Sequence, residues 1–447
     1  MDKKLIAIIV AAVVVVAGVG VYFLATDGSD NSKASIDSSL FIYGNANNDY
    51  TIDNNDKDVA ESIIKGESGY TLAKYPLADA NCDGTVNSDD VAIIQKLINR
   101  QSCTVYVANQ VDTSDDAGYE KCSVSYPLKN IVTINPDMTL LATEIGASDC
   151  VTAYLAKAYG LEVSVYGDDT LALGSGRQLS ESVYQSIINR DSAVDGGIGA
   201  VLVMNTSALK GYGDDLTTGG IPVMVLKCTD PLLSIDAAVT LGFLLGGEYE
   251  DKGYEFGNMS LSVLDEISNT TSVLTDANTV DVLSLTMNYY ITQTKSQYTV
   301  TTELAGANNS TTIVGTGSDK LTSAETIMNY DVDYLVSFNT MGIGIMSSAD
   351  IIDTWEFEKL SMISSSNAYP EDTFYINTSM PTAVRVAYLA EYFYPDLFAN
   401  GYADSVFQKF VDTFMPFLDG TQADNDFDVS SDCTAMITYS DYTAAKS

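Results

Sequence analysis

Two acidic loops near the N-terminus carry the residues whose types and spacing are best suited to chemistry. The first loop runs from Asn45 to Asp56, and the second runs from Asp79 to Asp90. Each places oxygen-bearing side chains at loop positions 1, 3, 5, 9 and 12, and an apolar residue at position 8. A loop with this spacing can wrap around a hard cation such as calcium, with the backbone carbonyl of position 7 as a further ligand.

A helical pattern of apolar residues follows each loop, from Val59 to Ile64 and from Val91 to Ile98. A single loop rich in Asp and Asn is usually a solvated turn. Two such loops in the same register, each opening a helix, are harder to explain by chance. We therefore predict that both loops bind calcium, and that two ions are the cofactors of this chain.

The duplicated loop and helix, with Asp rather than Glu at position 12, resembles a dockerin over residues 38–104. The resemblance implies a small all-α, EF-hand-like module that binds two calcium ions and docks into a cohesin-bearing protein. By position, the implied ligands are Asn45, Asn47, Asp49, Thr51, Asp53 and Asp56, then Asp79, Asn81, Asp83, Thr85, Asn87 and Asp90, with both threonines using their carbonyls. The implied cohesin contacts are Asn54, Asn55, Ser88 and Asp89.

The first loop departs from the dockerin pattern at two positions. Asn45 stands where Asp is expected, which removes one charge from the shell of the ion. Tyr50 stands where the loop normally has Gly, because the turn needs a positive φ that a bulky side chain adopts only with strain. We therefore expect weaker calcium binding in the first loop.

Composition restricts the functions open to the chain. Its formal net charge of −38 argues against nucleic acid and anionic lipid surfaces as partners. With no histidine, the chain cannot form a Ser-His-Asp triad, a Cys-His pair or the usual zinc site. None of the six cysteines forms a CxxC pair, which disfavours a redox or metal-thiolate site. Cys103 and Cys122 are a candidate disulfide pair.

Residues 5–25 are uninterruptedly apolar and follow Lys3 and Lys4. At about 1.5 Å per residue this segment can cross a bilayer as a helix, and the lysines favour an N-terminus inside the cell. We predict a transmembrane anchor, with a cleaved signal as the alternative, over residues 1–25, and a polar linker over 26–37. The chain would then be a single-pass protein of the cell membrane with its bulk extracellular, where disulfides are allowed.

The rest of the chain alternates short β-branched runs with helical patterns, which predicts an α/β fold with mostly parallel sheets. The predicted strands are 131–135, 163–166, 200–204, 222–226, 282–291, 311–314, 334–338 and 374–377. Helices are expected over 140–159, 180–189, 384–394 and 406–417. A longer helix over 248–268 would join two α/β lobes. Residues 105–125 look like a linker with one strand at most.

Residues 126–136, the run 241–246 and the segment 394–398 resemble iron-siderophore and cobalamin substrate-binding proteins of ABC transporters, over about residues 126–420. The resemblance implies a two-lobed periplasmic-binding-protein-like domain with a connecting helix. Its lobes would be residues 126–247 and 276–447, joined by 248–275. One departure is Leu140, which follows Thr139 where the family commonly has Glu.

The family holds a small-molecule chelate in the cleft between its lobes, on loops that follow the strands. Matched onto this chain, these loops include Arg177, Asn205 and Asn339, together with residues 135–136 and 315–317. Arg177 could bind a carboxylate or phosphate with its guanidinium, although it could equally be a surface residue that balances nearby acids. Trp355, Tyr289 and Tyr290 are candidate pocket residues, or core residues.

The sequence thus predicts a membrane-anchored extracellular protein that docks to a cohesin through calcium and captures a metal chelate or other small solute. An ABC transporter is a further candidate partner. One alternative is an extracellular scaffold or adhesion protein whose lobes no longer bind solute. A second is a cell-surface component of polysaccharide degradation. No carboxylate pair stands out as that of a glycosidase, so we expect a protein that is not an enzyme.

Overall fold

The computed structural model describes residues 39–111, 118–155, 166, 169–286, 290–291, 297–308, 332–343, 373–418 and 427–446. The first element pair is α1 (Asn54–Lys65) and α2 (Ser88–Ile98), each of which directly follows the ninth position of an acidic loop. Both helices begin with a capping box, in which the N-cap side chain and the third helical residue satisfy each other's backbone N–H groups. The structure therefore has the duplicated loop-helix arrangement that the sequence predicts.

An antiparallel hairpin connects this N-terminal part to the larger α/β part. Its strands are β1 (Cys103–Ala108) and β2 (Lys121–Tyr126), where the sequence indicated a linker with one strand. The register pairs Cys103 with Tyr126 and Val107 with Cys122. The two cysteines lie at different points along the hairpin, so the Cys103–Cys122 disulfide expected from the sequence does not form; both thiols are free.

The first lobe is built on a five-stranded, wholly parallel sheet in the order β5-β4-β3-β6-β7. Its strands are β3 (Ile131–Thr133), β4 (Val151–Tyr154), β5 (Leu171–Ala172), β6 (Ala200–Val203) and β7 (Val223–Val225). Its helices are α3 (Pro136–Glu144), α4 (Glu181–Ala193), α5 (Gly213–Thr218) and α6 (Leu233–Leu245). Every residue of β3, β4, β6 and β7 is buried, as expected for parallel strands covered on both faces.

The helix α7 (Glu248–Thr271) joins the two lobes and confirms the long helix predicted over 248–268. The second sheet has the order β12-β11-β10-β8-β9, with a parallel centre and antiparallel edges. Its strands are β8 (Val282–Thr286), β9 (Tyr290–Ile291), β10 (Tyr334–Asn339), β11 (Thr373–Asn377) and β12 (Met436–Thr438). Its helices are α8 (Gln297–Leu304), α9 (Thr382–Phe393), α10 (Tyr402–Phe414), α11 (Val429–Asp432) and α12 (Tyr439–Lys446).

The prediction of one helix over residues 140–159 is wrong. Helix α3 ends at Glu144, and the second half of that run contains the buried strand β4. The predicted strands over 163–166 and 311–314 lie almost entirely outside the described residues, as do Trp355 and the loop 315–317.

The N-terminal part packs directly on α6 and α7. The backbone N–H groups of Ser39 and Phe41 donate to the side chains of Asp236 and Thr240 on α6. Residues of α1, α2, α6 and α7 belong to one continuous apolar core, and α6 is buried on nearly all sides. This helix is thus enclosed by both parts of the molecule.

The predicted membrane segment, residues 1–25, lies outside the described residues. Within the ranges that the structure describes, no helix is both long enough and apolar enough to cross a membrane.

Candidate functional site

A cavity lies between the two lobes, beside the connecting helix. Its walls come from α3, the segment after β7, the middle of α7 and the segment from the end of β11 into α9. The part of it that water-sized molecules can reach measures about 40 Å³, and the cavity is open to solvent at its mouth. The polar lining residues that the following paragraphs use are Asp137, Glu144, Cys228, Thr382 and Arg385. Strand ends from both sheets therefore meet here, which is where open α/β sheets commonly bind ligands.

Arg385 is the one arginine in the lining of this cavity, and it is only 3% exposed. Its Nη2 donates a 2.7 Å hydrogen bond to Thr382 Oγ1, whereas its Nε has no hydrogen-bond partner. Burial lowers the pKa of the guanidinium, although Tyr298 and Asp137 act in the opposite direction. A buried guanidinium with one side-chain hydrogen bond remains free to hold an acceptor from a ligand.

Glu144, at the last turn of α3, is the second buried ionisable group of the cavity. Burial, followed by the nearby charge of Asp137, raises the pKa of its carboxyl to about 8. Its Oε1 has no hydrogen-bond partner. The carboxyl of Glu144 is therefore largely protonated at neutral pH. Burial also raises the pKa of the Cys228 thiol well above its ordinary value.

The residues that the sequence predicted for the cleft lie at strand ends but do not line this cavity. Asn135, at the end of β3, donates to the backbone carbonyl of Arg177 and accepts from the N–H of Met204, which brings two of the predicted loops together. Asn205 caps a short 3₁₀ helix by accepting from the N–H of Ala208. Their role in ligand binding stays a prediction.

Asn339 follows the same pattern in the second lobe. It lies at the end of β10, its amide donates to Ser337 Oγ, and its side chain is buried.

The sequence analysis did not identify Glu144 or Arg385 as site residues. Arg385 could have been noticed, since it is one of four arginines and interrupts an apolar helical pattern. No sequence feature marks Glu144, because its burial depends on how the segments around the cavity pack together.

The second acidic loop is a turn in which two carboxylates accept hydrogen bonds from the backbone of the loop. Asp79 accepts hydrogen bonds from the N–H groups of Asp83 and Gly84, and Asp90 accepts from those of Asn81 and Asn87. Gly84 has a φ of 92°, the conformation that position 6 requires. Burial, followed by repulsion from Asp90 and Asp83, raises the pKa of Asp79. A cation held by these carboxylates would relieve that repulsion, so the residues of this loop fit calcium.

The first loop repeats only part of this arrangement. Asp56 accepts from the N–H groups of Asn47 and Asp53, as Asp90 does from the equivalent residues. Asn45 behaves differently from Asp79, because its Nδ2 donates to the carbonyls of Leu40 and Asp49. Since both of these partners are acceptors, the amide nitrogen must face them, which leaves the buried Oδ1 without a hydrogen bond.

The electrostatics of the first loop favour a cation nonetheless. Burial, with a smaller contribution from repulsion by Asp49 and Asp53, raises the pKa of Asp56 to about 7, although the hydrogen bonds from the N–H groups of Asp53 and Asn47 act in the opposite direction. Tyr50 avoids the left-handed backbone conformation and turns its ring toward α7 instead. This loop therefore fits calcium less well than the second loop does.

Two further observations concern the acidic loops. Among the residues described, no three acidic or cysteine side chains lie close enough together to hold a metal as they stand.

The candidate cohesin contacts Asn54, Asn55, Ser88 and Asp89 are all exposed, at the first turns of α1 and α2. These four residues are the first two residues of α1 and the first two residues of α2.

Comparison with solved structures shows which known proteins share the fold of this two-lobed architecture. The chain has the α/β fold of periplasmic substrate-binding proteins. The molybdate-bound periplasmic binding protein MolA of Haemophilus influenzae matches with a TM-score of 0.51 and 12% identity, over 69% of this chain and 97% of that one. No family model matches the chain, and no curated protein matches it in sequence.

Two other solved structures show lower similarity. The TroA-like binding protein FepB of Veillonella parvula has a TM-score of 0.47 and 12% identity, covering 66% of this chain and 94% of that one. CeuE of Helicobacter pylori, in complex with Ni-His, has a TM-score of 0.49 and 11% identity, covering 70% and 95%.

Proposed function

We propose that this chain is an extracellular solute-binding protein that captures a small solute, such as a metal chelate, between its lobes. The observation that supports the proposal best is the interlobe cavity with the buried, incompletely hydrogen-bonded Arg385. The fold, which it shares with the molybdate-binding MolA, agrees with this role. An ABC transporter would then be the partner that receives the solute, and binding rather than catalysis would be the activity.

Thermal melting of the full chain, with and without solute, tests this proposal. Ferric citrate, haemin and molybdate are suitable probes because they sample the chelate, haem and oxyanion classes. A solute at 100 times its Kd stabilises the folded state by about 2.7 kcal/mol, which is measurable as a rise in Tm. If no solute of these or related classes raises the Tm, the lobes serve as a scaffold, which is the alternative function.

We further propose that residues 38–104 form a calcium-dependent, dockerin-like docking module for a cohesin, and that residues 1–25 anchor the chain in the membrane. The matching hydrogen bonds of Asp56 and Asp90, one in each loop, support the module. The residues that would hold calcium in the second loop are Asp79, Asn81, Asp83, Asn87 and Asp90, with the carbonyl of Thr85. Bound calcium would neutralise the clustered carboxylates and join the two ends of the loop.

Calorimetric titration of the full chain with calcium tests the module. Asp83→Ala and Asp90→Ala should each weaken binding to the second loop by tenfold or more, because each removes a carboxylate ligand. Asp58→Ala is the matched control, since it removes an exposed acid of α1 outside both loops and should leave the affinity unchanged. An absence of binding at millimolar calcium would rule out the docking role.

A further inference from the structure

The N-terminus of α9 opens into the interlobe cavity without a polar cap. Pro381, Thr382 and Ala383 are all in the lining of the cavity. The first N–H groups of an α-helix have no acceptor within the helix. In α9 the N-cap residue is Pro381, whose side chain accepts no hydrogen bond, and the first turn holds no acidic residue. This wall of the cavity therefore presents backbone donors and the positive end of a helix dipole, which together favour an anion.

A second helix that begins at the cavity shows the contrast. Ser234 and Ile235 of α6 are also in the lining. The N–H groups of Leu232 and Leu233, at the start of α6, donate to a carboxylate oxygen of Asp230. The donors of α6 are thus satisfied by the chain itself, whereas those of α9 are left to a ligand.

Arg385 adds a positive charge at the same place. It is the fourth residue of α9, it lines the cavity and it is buried. A cation near a helix N-terminus is destabilised by the dipole, and a buried ion without a counter-ion is costly. Its Nε has no acceptor, and within the described part of the chain no carboxylate forms an ion pair with it. Stability does not account for an arginine in this position, but an anion in the cavity would.

The two acidic side chains of the lining limit the charge of that anion. Glu144 is largely protonated at neutral pH, so its carboxyl can donate a hydrogen bond. Asp137 acts electrostatically on Arg385 and opposes additional negative charge beside it. A ligand with one negative charge is therefore accommodated better than a ligand with two.

The size of the cavity limits the ligand further. The part that water-sized molecules can reach measures about 40 Å³, and one water molecule needs about 10–15 Å³ of such space. There is thus room for about three water molecules, or for a ligand of about four non-hydrogen atoms. Leu141, Phe256 and Leu264 form a buried apolar wall against which a methyl group can pack.

We propose that the interlobe cavity binds a small monocarboxylate of the acetate type, held by Arg385 and by the N-terminal N–H groups of α9. This inference rests on the proposed solute-binding function and narrows its solute to a planar anion smaller than a metal chelate. One carboxylate oxygen accepts from Nε of Arg385, and the other accepts from the backbone of α9. The methyl group lies against Phe256 and Leu264.

Acetate and acetamide are the decisive pair of probes, because they have the same shape and differ in charge. Titration calorimetry and thermal melting of the full chain compare them at equal ionic strength, with sodium chloride as the balancing salt. We expect acetate to bind more tightly than acetamide by about tenfold or more, since hydrogen bonds to a charged group are the stronger ones. Butyrate should bind more weakly than acetate, because it exceeds the space available. Equal binding of acetate and acetamide would overturn the proposal, as would a rise in Tm that chloride reproduces.

Arg385→Gln tests where the carboxylate lies. The change should remove the preference for acetate over acetamide, because glutamine keeps a polar side chain but not the charge. Arg190→Gln is the matched control and should keep the preference, since Arg190 bonds to Thr152 Oγ1 and lies outside the lining of the cavity. A folded Arg385→Gln chain that still prefers acetate would contradict the proposal. If this variant does not fold, the comparison of acetate, acetamide and butyrate on the unaltered chain still decides the matter.

Ferric citrate and molybdate separate this inference from the proposed function. If either of them raises the Tm while acetate does not bind, the monocarboxylate proposal is overturned and the solute-binding function stands. If acetate, ferric citrate, molybdate and haemin all fail to bind, both proposals are overturned.

Discussion

Glu144 and Arg385 show how one cavity changes two ionisable side chains in opposite directions. Burial disfavours the charged form of each, so it raises the pKa of the acid to about 8 and lowers the pKa of the base. The acid therefore loses its charge near neutral pH, whereas a guanidinium, whose ordinary pKa lies far above neutral, keeps its charge. At neutral pH the lining of the cavity therefore includes one charged guanidinium and one protonated carboxyl.

A pH dependence of stability follows from Glu144. The carboxyl titrates near its ordinary value of 4.5 in the unfolded chain and near 8 in the folded chain. Between these values the folded state holds a proton that the unfolded state has released, so stability falls as the pH rises from about 5 to 8. For Glu144→Gln, which carries no such proton, we expect this fall to be smaller by up to about 4 kcal/mol. Urea unfolding at pH 5, 6, 7 and 8 measures it.

The comparison between variant and unaltered chain isolates this side chain. Asp56, whose pKa is raised to about 7, contributes a fall of the same sign in both proteins and cancels in the difference. The ionisable groups that face Glu144 are Asp137, Cys228 and Arg385, and they are also common to both. Parallel pH profiles for the two proteins would show that Glu144 titrates normally.

At the scale of elements, Tyr50, at position 6 of the first acidic loop, packs against α7. The equivalent position of the second loop is Gly84, which makes a turn with a positive φ instead. The ring of Tyr50 lies 5.5 Å from the ring of Tyr254, and its hydroxyl lies directly over Gly257. A Cβ added at Gly257 would overlap that hydroxyl and would also lie 3.0 Å from Val239. Gly257 therefore provides the space that the Tyr50 hydroxyl occupies. A tyrosine at position 6 of the first loop thus depends on a glycine in α7.

This pairing predicts a non-additive double variant. We expect Gly257→Ala to destabilise the chain by about 1–3 kcal/mol, since overpacking forces Tyr50 out of its position. In a Tyr50→Ala background the same change should be close to neutral, because the space is vacant and alanine has the higher helix propensity. The four proteins of the cycle are compared by urea unfolding. Equal costs in both backgrounds would show that Tyr50 is not held against α7.

The helices and strands also show which parts of the fold a sequence pattern can predict. Helix α7 was predictable because its apolar positions repeat over six turns or more, and periodicity is most reliable in long segments. Strand β4 was not predictable, because a segment of four residues is too short to show a period that separates strand from helix. Paired residues in the acidic loops were predictable from spacing within each loop. Arg385 and Glu144 were not, because their cavity combines segments far apart in the chain.

At the scale of the whole molecule, the N-terminal part behaves structurally as a portion of the larger domain rather than as a tethered module. Arg100, which follows α2, forms two hydrogen bonds to the carboxylate of Glu250 at 2.6 and 2.9 Å. Its guanidinium also lies 4.8 Å from the centre of the Phe243 ring. With α6 enclosed between the two parts, an isolated fragment of residues 38–104 would lose much of the surface against which it packs. The proposed calcium binding is therefore best measured in the full chain.

The same packing predicts that both parts unfold together. Arg100→Ala should lower the stability of the full chain by about 1–3 kcal/mol, because it leaves the largely buried Glu250 without its partner. Lys252→Ala removes an exposed ion pair to Glu255 and should cost less than about 0.5 kcal/mol. In scanning calorimetry we expect Arg100→Ala to shift a single transition, since a shared core couples the unfolding of the parts that form it. A melt in two steps, with only the first step shifted by Arg100→Ala, would show instead that the N-terminal part unfolds on its own.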